Sequence, residues 1–205
     1  MKSASLLCFS LLLCLAGCGQ GAVKSASATP ADWKAIVTPN DMDRIRNWRT
    51  AFTRALDDAR LRGSGAGIVA EGILLVPDAA LGGGAPPPGQ YRCRVIKLGG
   101  KMMAALVAYP ATPCALTAEG DVIGFARTGG AQRPVGLIFP GDGPRQIFLG
   151  TMMLGDETRA LDYGRDATRD MAGAVERIGP NRWRLILPYP RMESLMDVIE
   201  LVPAS

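Results

Sequence analysis

The sequence contains no histidine. That absence removes Ser-His-Asp and Cys-His catalysis, the helix-borne zinc protease motif and haem ligation through imidazole. Each of these needs a ring nitrogen that titrates near neutrality or gives a lone pair to a metal. A phosphate-cradling loop is missing too: Gly99-Gly100-Lys101 runs into Met102, without the required spacing or hydroxyl. No alternating Asp/Asn run has the layout of an EF-hand loop. An excess of one charge is also lacking. Lys and Arg number 23 against 19 Asp and Glu, and they do not form the basic stripe that nucleic-acid binding requires. Nothing in the composition implies a cofactor.

Long apolar runs are likewise absent from the start of the chain. Leu6 to Leu15 is ten residues, about half of what crosses a bilayer. With Lys2 ahead of it and small residues behind, the run has the layout of an export signal. The residues Leu15, Ala16, Gly17 and Cys18 resemble the lipobox of bacterial lipoproteins, which implies that the Cys18 sulfur is acylated and that residues 1–17 are removed. The alternative is a plain signal peptide with a cysteine near the cut. More than one acyl chain, as the resemblance implies, gives stable membrane attachment where one chain gives only marginal binding. Gly19 in place of Asp points, by the habit of such proteins, to the outer membrane facing the periplasm; a soluble periplasmic protein is the alternative. Residues 18–31 read as a flexible tether.

Taking seventeen residues from 205 leaves 188, one domain of ordinary size able to bury a core. Loss of Lys2 leaves 22 basic against 19 acidic residues, a net charge of +3. Of five cysteines, Cys8 and Cys14 leave with the signal and Cys18 takes the lipid. Cys93 and Cys114 remain and, in an oxidising compartment, are expected to form one disulfide. Two free thiols are the alternative. No metal site is expected, because two sulfurs without imidazole cannot complete a tetrahedral zinc shell unless carboxylates join them.

The body, 32–205, reads as a single domain: an amphipathic helix within 32–63, an irregular connection over 64–89 and β structure over 90–205. Thr38 caps the helix, Pro39 suits its first turn and Asp41 favours its positive end. Met42, Ile45, Trp48, Phe52, Ala55 and Ala59 recur at three- and four-residue steps, predicting one continuous helix to near Gly63. The Trp48/Phe52 stripe is read as core packing, with a partner-binding face as the alternative. Ile68 to Val76 fits a short helix or an extended segment. After Gly89, short β-rich runs alternate with Gly, Pro, Asn and Asp turns. The fold class expected is mainly β with an N-terminal α-helix, an antiparallel meander of about eight strands forming a lipocalin-like or similar small β-barrel.

Alternation places Trp183, Leu185 and Leu187 on one face, with Arg182 and Arg184 on the other, and groups Val135 with Leu137 and Phe139. Met171, Gly173 and Val175 are read as inward and Glu176 as outward. Leu195, Ile199 and Leu201 share a face with Asp197, a carboxylate that either pairs with an arginine at a barrel mouth or lies exposed at an edge. Glu176, Glu193, Asp197 and Glu200 are the acids available for two-carboxylate sugar hydrolysis. The stretch GDETRALDYGRDATRDMAG alternates in sign. Its Arg159, Asp162, Arg165, Asp166, Arg169 and Asp170 are read as a recognition loop for an anionic group or as a connection pinned by its own salt bridges.

Several segments in order carry a resemblance: Ala31-Asp32-Trp33, the Arg-rich helix with Trp48, EGILLVPDAAL, PPPGQYRCR with YPATPC, QRPVGLIF, FLGTMMLGDE, YGRDATRDMAG and RWRLILPYPRMESLMDVIELVP. Together they resemble a proteobacterial family of exported proteins described as domain of unknown function 4893. The resemblance implies one domain and points to no particular activity. Three functional expectations follow: a non-enzymatic module binding an apolar or amphipathic ligand in a barrel mouth, an inhibitor of an envelope hydrolase or an assembly factor, and a carboxylate hydrolase. The membrane, through the lipid, a small apolar ligand and an envelope protein are the expected partners.

Overall fold

The computed structural model describes residues 32–101 and 104–204. The expected signal and tether, with Cys18, lie outside the described residues, as do Met102 and Met103. Among the described residues three α-helices, α1 (Pro39–Arg46), α2 (Trp48–Leu61) and α3 (Gly65–Glu71), precede nine strands. These are β1 (Gly89–Leu98), β2 (Leu106–Ala108), β3 (Thr112–Glu119), β4 (Val122–Arg127), β5 (Gln132–Phe139), β6 (Arg145–Leu154), β7 (Asp170–Gly179), β8 (Arg182–Pro188) and β9 (Met196–Pro203). Among the described residues no helix is long and apolar enough to cross a membrane.

The strands form a closed, antiparallel, up-and-down barrel of eight staves. From β3 to β9 each pairs with the next in sequence, and β9 returns to pair with β1 along the whole run from Tyr91↔Pro203 to Leu98↔Met196. β2 and β3 share the other edge of β1: Leu106–Ala108 lies along Ile96–Leu98, and Thr112–Leu116 along Gly89–Cys93. They act as one interrupted stave, broken around Pro110. Closure leaves only the three-residue β2 without a second strand partner among the described residues, so little free edge remains to template unwanted pairing.

One end is tight and the other is not. Two-residue turns, Gly120-Asp121 and Pro180-Asn181, join β3 to β4 and β7 to β8 at the closed end. The connections 128–131, 155–169 and 189–195, together with the residues following β1, gather at the opposite end, which forms a mouth, while the five residues 140–144 join β5 to β6 at the closed end.

Inward residues fill the closed half. Tyr91, Leu116, Phe125, Ile138, Phe148, Val175, Trp183, Leu185 and Leu201 pack there, with Phe125 edge-on to Phe148 at 5.8 Å and Tyr91 edge-on to Trp183 at 6.3 Å. Cys93 and Cys114 form the expected disulfide diagonally between β1 and β3, wholly buried, with Cα atoms 5.9 Å apart. Trp183, Leu185 and Leu187 face inward as expected, as do Met171 and Val175. Leu137 and Phe139 belong instead to an outer patch that also takes Trp33, Val37 and Ile45.

The helices cover the outer wall of β1, β7, β8 and β9. Phe52, Ala55, Leu56 and Ala59 of α2, Ile68 of α3 and Leu74 and Leu75 after it pack on Ile96, Leu98, Ala174, Ile186 and Val198. Phe52 is therefore core, with Trp48 half-buried against it. The expected single helix is instead two. At Asn47 the backbone leaves helical geometry (φ −96°, ψ 16°) and the Asn47 side-chain amide donates to the Asp43 carbonyl at 2.9 Å, closing α1 locally. The break sends Ile45 to the outer patch and Phe52 to the core under the helices. The ambiguous Ile68–Val76 run is helical, as α3 and a 3-10 turn, Gly72–Leu75.

Arg184, first placed on the face opposite the core residues, is 0% exposed. Its guanidinium donates to Glu176 (Nε to Oε2, 2.8 Å) and to the carbonyls of Leu74, Val76 and Pro77, each at 2.8 Å. Its Cζ lies 5.2 Å from the Phe52 ring centre. Glu176 also accepts from Arg145, which lies over Trp48 at 4.1 Å. The helical layer is thus fastened to the wall by a buried ionic knot as well as by apolar contact.

Candidate functional site

The mouth half of the barrel is not filled. A half-open cavity of about 200 Å³ lies between Val95, Pro134, Met152, Leu187 and Ile199 below and Lys97, Arg127, Gln132, Glu193 and Asp197 around it. Strand parity puts these polar residues there. On β1 the inward series Tyr91, Cys93, Val95 continues to Lys97. On β4 the series Ile123, Phe125 continues to Arg127, and on β9 Leu201 and Ile199 continue to Asp197. The β1–β9 register sets Lys97 directly opposite Asp197.

Lys97 Nζ donates to Gln132 Oε1 at 2.8 Å and to Glu193 Oε2 at 3.0 Å, and lies 3.8 Å from Asp197 Oδ2. Ser194 Oγ donates to the other Asp197 oxygen. Burial pushes the Asp197 carboxyl above its ordinary value, with Lys97, Ser194 and more distantly Arg127 pulling it down and Glu193 pushing the same way as burial. Arg127 Nε donates to Thr112 Oγ1 at 3.0 Å and Nη1 to the Gln132 carbonyl at 2.6 Å. Burial draws the Arg127 guanidinium below its ordinary value, and Arg133 adds to the effect. Lys97, Arg127 and Asp197 are 4%, 8% and 3% exposed. Charges so placed in a low-dielectric wall are costly to hold without partners, so each is fixed by hydrogen bonds.

The Asp/Arg-rich loop divides into an anchored part and a free part. Asp170 is buried and accepts from the Gly164 amide at 2.9 Å, Asp166 accepts from Thr168, and Arg169 grips Glu157 at 2.8 Å. Tyr163 pins the loop to α1, donating to Asp41 at 2.6 Å and accepting from the Thr38 amide at 3.1 Å. Burial, reinforced by that bond to Asp41, pushes the Tyr163 phenol up to about 12. Arg159, Asp162 and Arg165 are exposed, and their side chains make no hydrogen bond or ion pair among the described residues. The six residues do not converge on one point.

The four acids considered for hydrolysis fall into two groups. Glu176 and Glu200 sit on the outer wall, held by Arg184 and Arg145 and by Arg94 and Arg182. Glu193 and Asp197 share Lys97 at the mouth. Asp197 is neither exposed at an edge nor paired with an arginine; it is buried at the mouth beside Lys97. Lys97, Arg127 and Gln132 were not singled out by sequence; the signal that marks them is a polar residue ending an inward apolar series.

The family model described as a domain of unknown function (DUF4893) matches residues 33–201. The chain belongs to this family. The matched span begins at the 3-10 turn Trp33–Ala35 and ends within β9, so the DUF4893 unit includes the helical layer, all of the barrel but the last two residues of β9, and every residue of the mouth cavity. No match was found among curated proteins. None was found among solved structures.

Proposed function

We propose that this DUF4893 protein is a binding module that takes a small amphipathic ligand in the mouth of its barrel, while a lipid on Cys18 holds it at the periplasmic face of the outer membrane. One observation carries the ligand reading: an open cavity with an apolar floor and a wall of fixed charges, in a barrel whose other half is solidly packed. Binding sites combine an apolar enclosure with a few placed polar groups in this way. At about 200 Å³ the cavity lies below the range of about 300–1,000 Å³ typical of drug-sized ligands, and suits a small molecule or the end of a larger one.

The test is native mass spectrometry of the full chain taken gently from membranes. Expected are a diacyl or triacyl mass on a chain starting at Cys18 and a low-mass adduct released on denaturation. Met152→Trp, which fills the cavity, removes the adduct and keeps the lipid. An unacylated chain sinks the anchor. An adduct that persists in Met152→Trp sinks the pocket. Docking to a protein through 155–169 is the second reading, favoured by the exposed Arg159, Asp162 and Arg165.

A further inference from the structure

The charges in the mouth balance in number but not in place. Two cations, Lys97 and Arg127, and two carboxylates, Asp197 and Glu193, line it, and both carboxylates lie against Lys97. Lys97 is satisfied by Glu193, Gln132 and Asp197. Arg127 is not paired in this sense. Its Nε and Nη1 donate to a hydroxyl and a carbonyl, both neutral, its Nη2 makes no hydrogen bond, and it forms no ion pair among the described residues. A guanidinium remains charged throughout the physiological range, and a buried charge without a counter-ion is strongly unfavourable. Here that charge lines an open cavity, with Val95, Met152, Leu187 and Ile199 in the same wall.

We propose that the ligand is a small monoanionic amphiphile, a carboxylate on a short apolar chain or ring, with its carboxylate on Arg127 and its apolar part against Val95, Met152, Leu187 and Ile199. This deepens the binding-module reading and rests on it. Arg127 supplies the counter-charge and the donors that a carboxylate matches. Glu193 and Asp197 disfavour a second negative charge, since like charges set against each other repel. The size fits as well: an engineered apolar cavity of roughly 150 Å³ holds benzene, and this one measures about 200 Å³.

The test uses the full chain in phospholipid nanodiscs with methyl-labelled methionine, reading the Met152 methyl resonance. Hexanoate, hexanol, hexylamine and hexyl phosphate are titrated at neutral pH. Hexanoate is expected to bind at least tenfold tighter than the other three, and Arg127→Gln to cut its lead over hexanol below threefold. Equal binding of hexanol or hexylamine, tighter binding of hexyl phosphate, or a full preference retained in a folded Arg127→Gln overturns the carboxylate assignment and leaves the pocket standing. If none of the four probes moves Met152, the binding-module reading falls with it. The series on the unaltered chain decides the matter even if Arg127→Gln does not fold.

Discussion

Replacing Arg184 with Met tests what fastens the helical layer to the barrel. The methionine fills much of the same space but strands Glu176, which is 1% exposed, with Arg145 alone. It also leaves the carbonyls of Leu74, Val76 and Pro77 without their donor. Breaking a buried ion pair from one side costs about 3–5 kcal/mol, and each orphaned buried carbonyl costs about 1–3 kcal/mol. These losses overlap, so a total of about 4–5 kcal/mol is expected, or roughly 10 °C in Tm for a domain of this size. The double change Arg184→Met with Glu176→Gln is expected to cost little more than the single one, a coupling of about 2–3 kcal/mol. Arg94→Met is the control. Its pairs with Glu71 and Glu200 are nearer the surface, and its loss should cost only about 1 kcal/mol. Urea unfolding followed by tryptophan fluorescence measures all of these. A loss below about 1 kcal/mol for Arg184→Met would refute the reasoning, because the guanidinium would then not be what holds residues 74–77 to β8.

Three further outcomes are expected. Replacing Cys93 and Cys114 with Ala opens a loop of 21-residue separation and should cost about 3 kcal/mol by loop entropy, read as a lower urea midpoint than that of the oxidised chain; an unchanged midpoint would count against it. Asp197→Asn should flatten part of the pH profile. The Asp197 carboxyl is raised in the folded state, so between the unfolded value of about 4 and that raised value the folded chain binds a proton the unfolded chain has lost. Its contribution therefore falls as pH rises through this window, and the stability difference, unaltered chain minus Asp197→Asn, should decline from pH 4 upward; a rise would contradict the burial. Gly173→Ala should cost about 1–3 kcal/mol at unchanged m-value, since a Cβ there would run into the Ile186 carbonyl of the neighbouring strand; a neutral result in the same unfolding assay would show that β7 and β8 can separate.

Much of the barrel was legible because its punctuation is chemical. Gly120-Asp121 and Pro180-Asn181 mark turns whatever surrounds them, and the inward series Trp183, Leu185, Leu187 shows period two. The helix break was not legible, because the apolar stripe runs unbroken from Ile45 through Trp48 to Phe52 and only the Asn47 side chain turns the backbone. Arg184 was placed on the correct face, but its burial depends on a helical layer supplied by residues more than 100 positions earlier. The same applies to the mouth. Asp197 stood out as a carboxylate in an apolar series, whereas Lys97 follows Ile96, which packs under the helices, so both faces of β1 are apolar and alternation is masked. Its partnership with Asp197 exists only once β9 closes on β1.

That seam between β1 and β9 also bears on how the molecule comes into being. The first stave finds one of its two neighbours only when the last stave has been delivered, so a partly emerged chain is an open ribbon with two unsatisfied borders. Pairings this distant in sequence form slowly. The interval before closure is when this polypeptide is most exposed to sticking to its own copies and most in need of an escort.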